Sequence, residues 1–170
     1  MVTHALLPAL LGRRWIPRVR ELPSLRIVAL VCLSGALPDL LHPHLSLEAR
    51  QASLSHTLWA CLLFAVLVCV IARLSGKITR PVAWLCIAAY GGHIFLDGIT
   101  GGVALLQPLS DRVSGGNYLP YWCWTASDIL LLVEFYLAFR WLPMRRQWKR
   151  KRAAVPDADL RSGKDGQSGR

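Results

Sequence analysis

Residues 91–108, GGHIFLDGITGGVALLQP, place His93 and Asp97 four positions apart inside a strongly apolar stretch. On a helix that spacing puts both side chains on one face about one turn apart, and Thr100 continues the face. Imidazole nitrogen and carboxylate oxygen are ordinary ligands for zinc or a similar divalent ion. A bound cation would also offset the cost of a charge at the centre of a membrane, roughly 2.5–3.5 kcal/mol on an insertion scale. A hydrogen-bonded His–Asp pair that joins two helices is an equally good reading of these two residues alone.

Other polar residues share that chemistry. Asp39 and His42 stand three apart between Pro38 and Pro43, in a loosened helix end that presents them to a site or to water. His56 opens another apolar run in SLSHTLW, where a capping or interfacial role is the simpler reading, and His4 near the amino end carries no inference by itself. Asp128 and Glu134 lie in a later apolar run and read as structural partners of polar groups on other segments; Asp128 is near enough to the outer end to support the site. What strengthens these single residues is that several of one type fall at one depth.

The elements that must position them are helices. The chain has 170 residues, 54% of them hydrophobic, and the apolar residues come in long runs rather than alternations. Four stretches, about 26–41, 54–74, 81–106 and 121–142, approach or reach the ~20 residues that cross a bilayer. The fold class is therefore an all-α integral membrane protein of about four transmembrane helices. Residues 1–12 are too short to span and predict a short, partly inserted N-terminal helix. Residues 1–142 read as a single helical membrane domain, and 143–170 as a basic, disordered cytoplasmic tail. The five cysteines show no C-x-x-C spacing and read as small packing residues.

The net charge of +10 sets topology by its distribution and does not call for nucleic acid. Arg13, Arg14, Arg18, Arg20 and Arg26 precede the first span, Arg73, Lys77 and Arg80 mark the second connection, and nine Lys/Arg follow Pro143. The other two connections hold only Arg50 and Arg112. With four spans, both termini and the 73–80 loop face the cytoplasm, and the histidines and aspartates lie toward the outer side. The basic run at 145–152 also suits anionic membrane lipid as a partner.

The order of motifs resembles the YdjM-like family of bacterial membrane-bound metal-dependent hydrolases. The matching residues are Thr3-His4, the run Leu37-Pro38-Asp39 through His42-Pro43, Ser55-His56-Thr57, and His93, Asp97 and Thr100 followed by Leu105-Leu106 and Pro108. The resemblance implies a divalent metal, zinc first among candidates, bound by His4, Asp39, His56, His93 and Asp97. On the enzyme reading of the residues, Asp39, in the more exposed loop, is the catalytic base that takes a proton from water, and His42, Thr100 and Asp128 are candidates for places behind the ligands. The resemblance also implies the bacterial cytoplasmic membrane, multi-pass, and hydrolysis of a phosphoester or lipid-linked substrate by a metal-activated water. The pattern departs at Leu41, where the family often has a second aspartate, and at Gln51-Ala52, which replace a His-Arg pair. Those departures keep a non-catalytic alternative in view: an ion or metal transporter, or an inactive member with a structural role.

Overall fold

Local chemistry sets the ends of the apolar runs. Thr57 caps one helix, its Oγ1 accepting the Ala60 N–H at 3.2 Å, and Gly76 closes that helix in the left-handed region at φ 61°. The next helix follows Thr79 with Pro81 in its first turn, where the missing N–H is no loss. In the computed structural model, which describes residues 2–19, 22–43 and 46–153, the helices are α1 (Val2–Leu11), α2 (Leu25–Leu41), α3 (Leu47–Gln51), α4 (Leu58–Ser75), α5 (Arg80–Thr100), α6 (Tyr121–Tyr136) and α7 (Leu142–Ala153). A π-helical turn, Leu137–Trp141, joins α6 to α7 without a break. The only strands among the described residues are the two-residue pair Arg18–Val19 and Leu22–Pro23.

The architecture is that of an all-α membrane protein. Among the described residues, three helices are long and apolar enough to cross a bilayer, Leu58–Ser75, Arg80–Thr100 and Trp122–Arg152, and the apolar helix Val2–Leu11 is shorter. The stretch expected as a further span, α2, has 17 residues, about 26 Å of helix against a hydrocarbon core of ~30 Å. Two boundaries move as well. The apolar run to residue 106 stops being helix at Thr100, because Gly102 takes φ 83° and turns its N–H back to the Asp97 carbonyl at 3.1 Å. The run from residue 54 starts as a 3-10 turn, Leu54–His56, before α4. The chain remains helical over Leu142–Ala153, where a disordered tail was expected from residue 143: the basic side chains continue the helix begun by α6. The rest of that tail, from residue 154, lies outside the described residues.

α5 is the centre of the bundle, packed against α1, α2 and α4, while α1 lies between α2, α5 and α6. Ala9, Val28, Val31, Val82, Leu85, Cys86 and Ala89 form the core where these helices meet. Conversely, Leu62, Leu63, Val66, Leu67 and Leu74 of α4 and Ile129, Leu130, Leu132 and Val133 of α6 are exposed, an apolar surface suited to lipid chains rather than water. Glu134, expected to pair with another helix, is also exposed. A Cβ on Gly92 or Gly98 of α5 would meet nothing within 4 Å. The tight crossing is at Gly35 of α2, where a Cβ would collide with the backbone carbonyl of His4. α5 begins at Arg80 and ends at Thr100, so the basic turn and the His/Asp residues occupy opposite ends of the bundle.

Candidate metal centre

Three elements bring one ligand atom each, or two, to a common point. Asp39 comes from the last turn of α2, His56 from the 3-10 turn, and His93 and Asp97 from one face of α5; their ligand atoms all lie within 4.8 Å of one another. Nε2 of His56 is 3.2 Å from Nε2 of His93, and Asp97 Oδ2 is 3.1 Å and 3.2 Å from these two nitrogens. Asp39 Oδ1 is 3.4 Å from each. Ligand atoms bound side by side at ~2.0–2.2 Å to one ion stand roughly 2.8–3.6 Å apart, so these separations fit a single cation.

The surrounding hydrogen bonds fix which imidazole nitrogens face that point. His93 Nδ1 is 2.6 Å from the Gly35 carbonyl oxygen, which can only accept, so Nδ1 carries the hydrogen and Nε2 presents a lone pair. For His56 the hydroxyls decide. Ser55 Oγ donates its hydrogen to the Pro38 carbonyl at 2.8 Å, so the hydrogen in the 2.7 Å contact between Ser53 and Ser55 belongs to Ser53. Both hydroxyl hydrogens are then committed, and His56 Nδ1, 3.1 Å from each oxygen, is the donor. Its Nε2 is therefore a second lone pair facing the first. Tyr90 holds this turn against α5 by donating its hydroxyl to the Ser55 carbonyl at 2.7 Å.

With these tautomers the Nε2 lone pairs of His56 and His93 face the carboxylates of Asp39 and Asp97. Asp97 is 1% exposed, and among the described residues its Oδ2 has no hydrogen-bond donor of acceptable geometry despite the two nearby nitrogens. Such a set repels itself unless a positive charge sits among its members, and the donor types suit a divalent transition ion. This cluster of aspartates and histidines could hold a metal ion.

His4 joins the site but differs in position. The first turn of α1 brings its Nε2 to 3.3 Å from Asp97 Oδ1, the oxygen turned away from the histidine pair, and its ring lies 4.5 Å from that of His93. It is 2% exposed, and neither of its ring nitrogens has a hydrogen-bond partner among the described residues. Asp128 anchors this end of α1: its Oδ1 accepts the Thr3 N–H at 2.7 Å and also the Thr3 hydroxyl. A carboxylate at a helix N-terminus satisfies an orphan donor and meets the positive end of the helix dipole. Asp128→Ala is expected to lower stability by about 1 kcal/mol, read as an earlier thermal unfolding midpoint, with a smaller loss for Asp128→Asn.

Of the remaining expected residues, Thr100 lies behind Asp97, its hydroxyl donating to the Asp97 carbonyl at 3.4 Å. His42 closes α2. The backbone leaves the helical direction there at φ −139°, ψ 80°, and the side chain is exposed at the end of α2.

Arg50 was not expected. It is 4% exposed, and its Nη1 donates to Asp97 Oδ1 at 3.0 Å and to Thr100 Oγ1 at 3.2 Å. The neighbouring Gln51 donates to the Gly101 carbonyl at 2.9 Å, which seats α3 on the end of α5. The departure at Gln51-Ala52 therefore leaves the site with a guanidinium, supplied from residue 50. The signal in the sequence was a lone arginine in an otherwise cation-poor connection.

Neither the comparison with curated proteins nor that with solved structures returned a match. A family model described as YdjM inner membrane protein matches residues 1–156, a span that includes every helix and every cluster residue described above. On that match the chain belongs to the YdjM inner membrane protein family.

Proposed function

We propose that this protein is a membrane-bound hydrolase that uses a divalent cation, zinc first among candidates, to cleave a phosphoester or lipid-linked substrate. The observation that supports this most directly is the convergence of two imidazole lone pairs and two carboxylate oxygens on one point, with each Nδ1 hydrogen directed outward. When bound, a divalent ion there lowers the pKa of a water and polarises a phosphoryl or acyl oxygen.

The chain's own groups have distinct parts in this reading. Gly35, through its carbonyl, and Ser53, through its hydroxyl, hold the imidazoles in the tautomer that leaves Nε2 free for a ligand bond. Asp97 divides its oxygens between the histidine pair and Arg50. Asp39 is the cluster residue at the exposed edge, with 29% of its side chain accessible, and it is the group placed to accept a proton from an entering water. With the basic ends cytoplasmic, the site opens toward the outer leaflet, which favours substrates that arrive laterally from the membrane over cytosolic ones.

The test is hydrolysis of bis(4-nitrophenyl) phosphate and of phospholipid by the purified, zinc-loaded full chain in detergent. Turnover should disappear with a chelator, return with zinc, and be absent when His93 and Asp97 are both changed to alanine. Stoichiometric bound metal without turnover on either substrate would sink the hydrolase reading and favour the non-catalytic one.

A further inference from the structure

Arg50 has bonding capacity that the protein does not use. One nitrogen, Nη1, is engaged by Asp97 and Thr100, whereas Nε and Nη2 are buried without a hydrogen-bond partner among the described residues. A guanidinium that is 4% exposed with two unpaired N–H groups carries a desolvation penalty that only an acceptor at that edge removes. Nε and Nη2 form the side of the guanidinium whose two parallel N–H bonds match two oxygens of one oxyanion. Nη1 is 3.0 Å from the carboxylate whose other oxygen faces His56 and His93, so the guanidinium adjoins the metal cluster through Nη1, and the Nε/Nη2 edge is the side turned away from that carboxylate.

The geometry points to an oxyanion subsite on Nε and Nη2 of Arg50 that receives the non-bridging oxygens of a phosphoryl group. The inference rests on the hydrolase reading and narrows its substrate class to phosphoesters. An acyl ester or amide carries no anionic oxygen for that edge and would leave it unsatisfied, whereas a phosphoester brings non-bridging anionic oxygens. Charge agrees. With the histidines neutral, Asp39, Asp97 and Arg50 leave the centre with one net negative charge, and a divalent cation reverses it to one net positive charge. Anion binding is therefore favoured by cation binding: the loaded centre attracts phosphate.

The experiment uses the full chain in detergent and reads two quantities, bound zinc by elemental analysis and the affinity for phosphate probes by calorimetry. Inorganic phosphate stands for a soluble ester, and short-chain phosphatidic acid in the micelle for a lipid headgroup. Arg50→Gln is expected to retain zinc and to bind whichever probe the wild type prefers roughly ten- to a hundredfold more weakly. Arg50→Lys keeps the charge without the two-donor edge and is expected to fall between; it carries the comparison if Arg50→Gln does not fold. Equal probe affinity in wild type and Arg50→Gln overturns the subsite, and so does loss of zinc in Arg50→Gln, which would make Arg50 a support for Asp97 alone. A wild type that binds no zinc removes the metal reading; Arg50-dependent phosphate binding would then still uphold the subsite, and absence of both would overturn both.

Discussion

Asp97→Asn should abolish divalent-cation binding at the cluster and lower stability by about 3–5 kcal/mol. Both effects come from one carboxylate with two engagements. Oδ2 stands 3.1–3.2 Å from the two imidazole nitrogens, and Oδ1 accepts from Arg50 at 3.0 Å. Asparagine preserves the shape, but it removes a charged ligand and leaves the guanidinium buried without its counter-charge. The two effects separate in a double variant. Adding Arg50→Gln removes the stranded charge, so part of the stability should return, whereas no metal should return because the ligand is still missing. Elemental analysis reads the first quantity, and denaturation in one detergent with chelator present reads the second. Wild-type zinc content in Asp97→Asn would contradict the ligand assignment, and additive stability losses in the double variant would contradict the buried pair.

Gly35→Val is expected to weaken metal binding by about 10- to 100-fold, the usual range for groups that orient ligands, although Gly35 itself offers no ligand. An added Cβ would meet the carbonyl oxygen and carbon of His4 and the Cα of Ala5, all of them backbone, so no side-chain rotation relieves the collision. α1 must move off α2, taking His4 with it, and the Gly35 carbonyl shifts away from His93 Nδ1, now 2.6 Å distant. Overpacking of this kind also lowers stability by about 1–3 kcal/mol. Gly92→Ala provides the contrast. It neighbours His93 in sequence, yet its new methyl meets nothing within 4 Å, and in a helix interior the change stabilises by roughly 0.5–1 kcal/mol. Metal titration and thermal unfolding of the two variants should move in opposite senses for stability, with affinity changed only in Gly35→Val.

Much of the site was legible because it is written locally. His93 and Asp97 share a helix face by spacing alone, and the ordered motifs from Thr3 to Pro108 brought His4, Asp39 and His56 into the same set. What remained hidden depends on contacts between distant segments. Asp128 was read as a helix partner or a site support, and it caps the first turn of α1, 125 positions away. Arg50 looked like a loop charge until α3 was seated on the end of α5. His42 shared a motif with Asp39, and it closes α2 with its side chain exposed.

Composition and spacing by themselves determined that the chain forms apolar helices, that its positive charge gathers away from its histidines, and which residue types a metal centre would draw on. These follow from periodicity and side-chain chemistry, which act over a few residues. Only the tertiary structure decided that α1 runs into the interior, that α5 stops at Thr100, that Gly35 and Ser53 orient the imidazoles, and that a guanidinium adjoins the cluster. Each of these depends on which backbone or side-chain atoms meet across long separations in the chain, and that is settled by packing, not by any local preference.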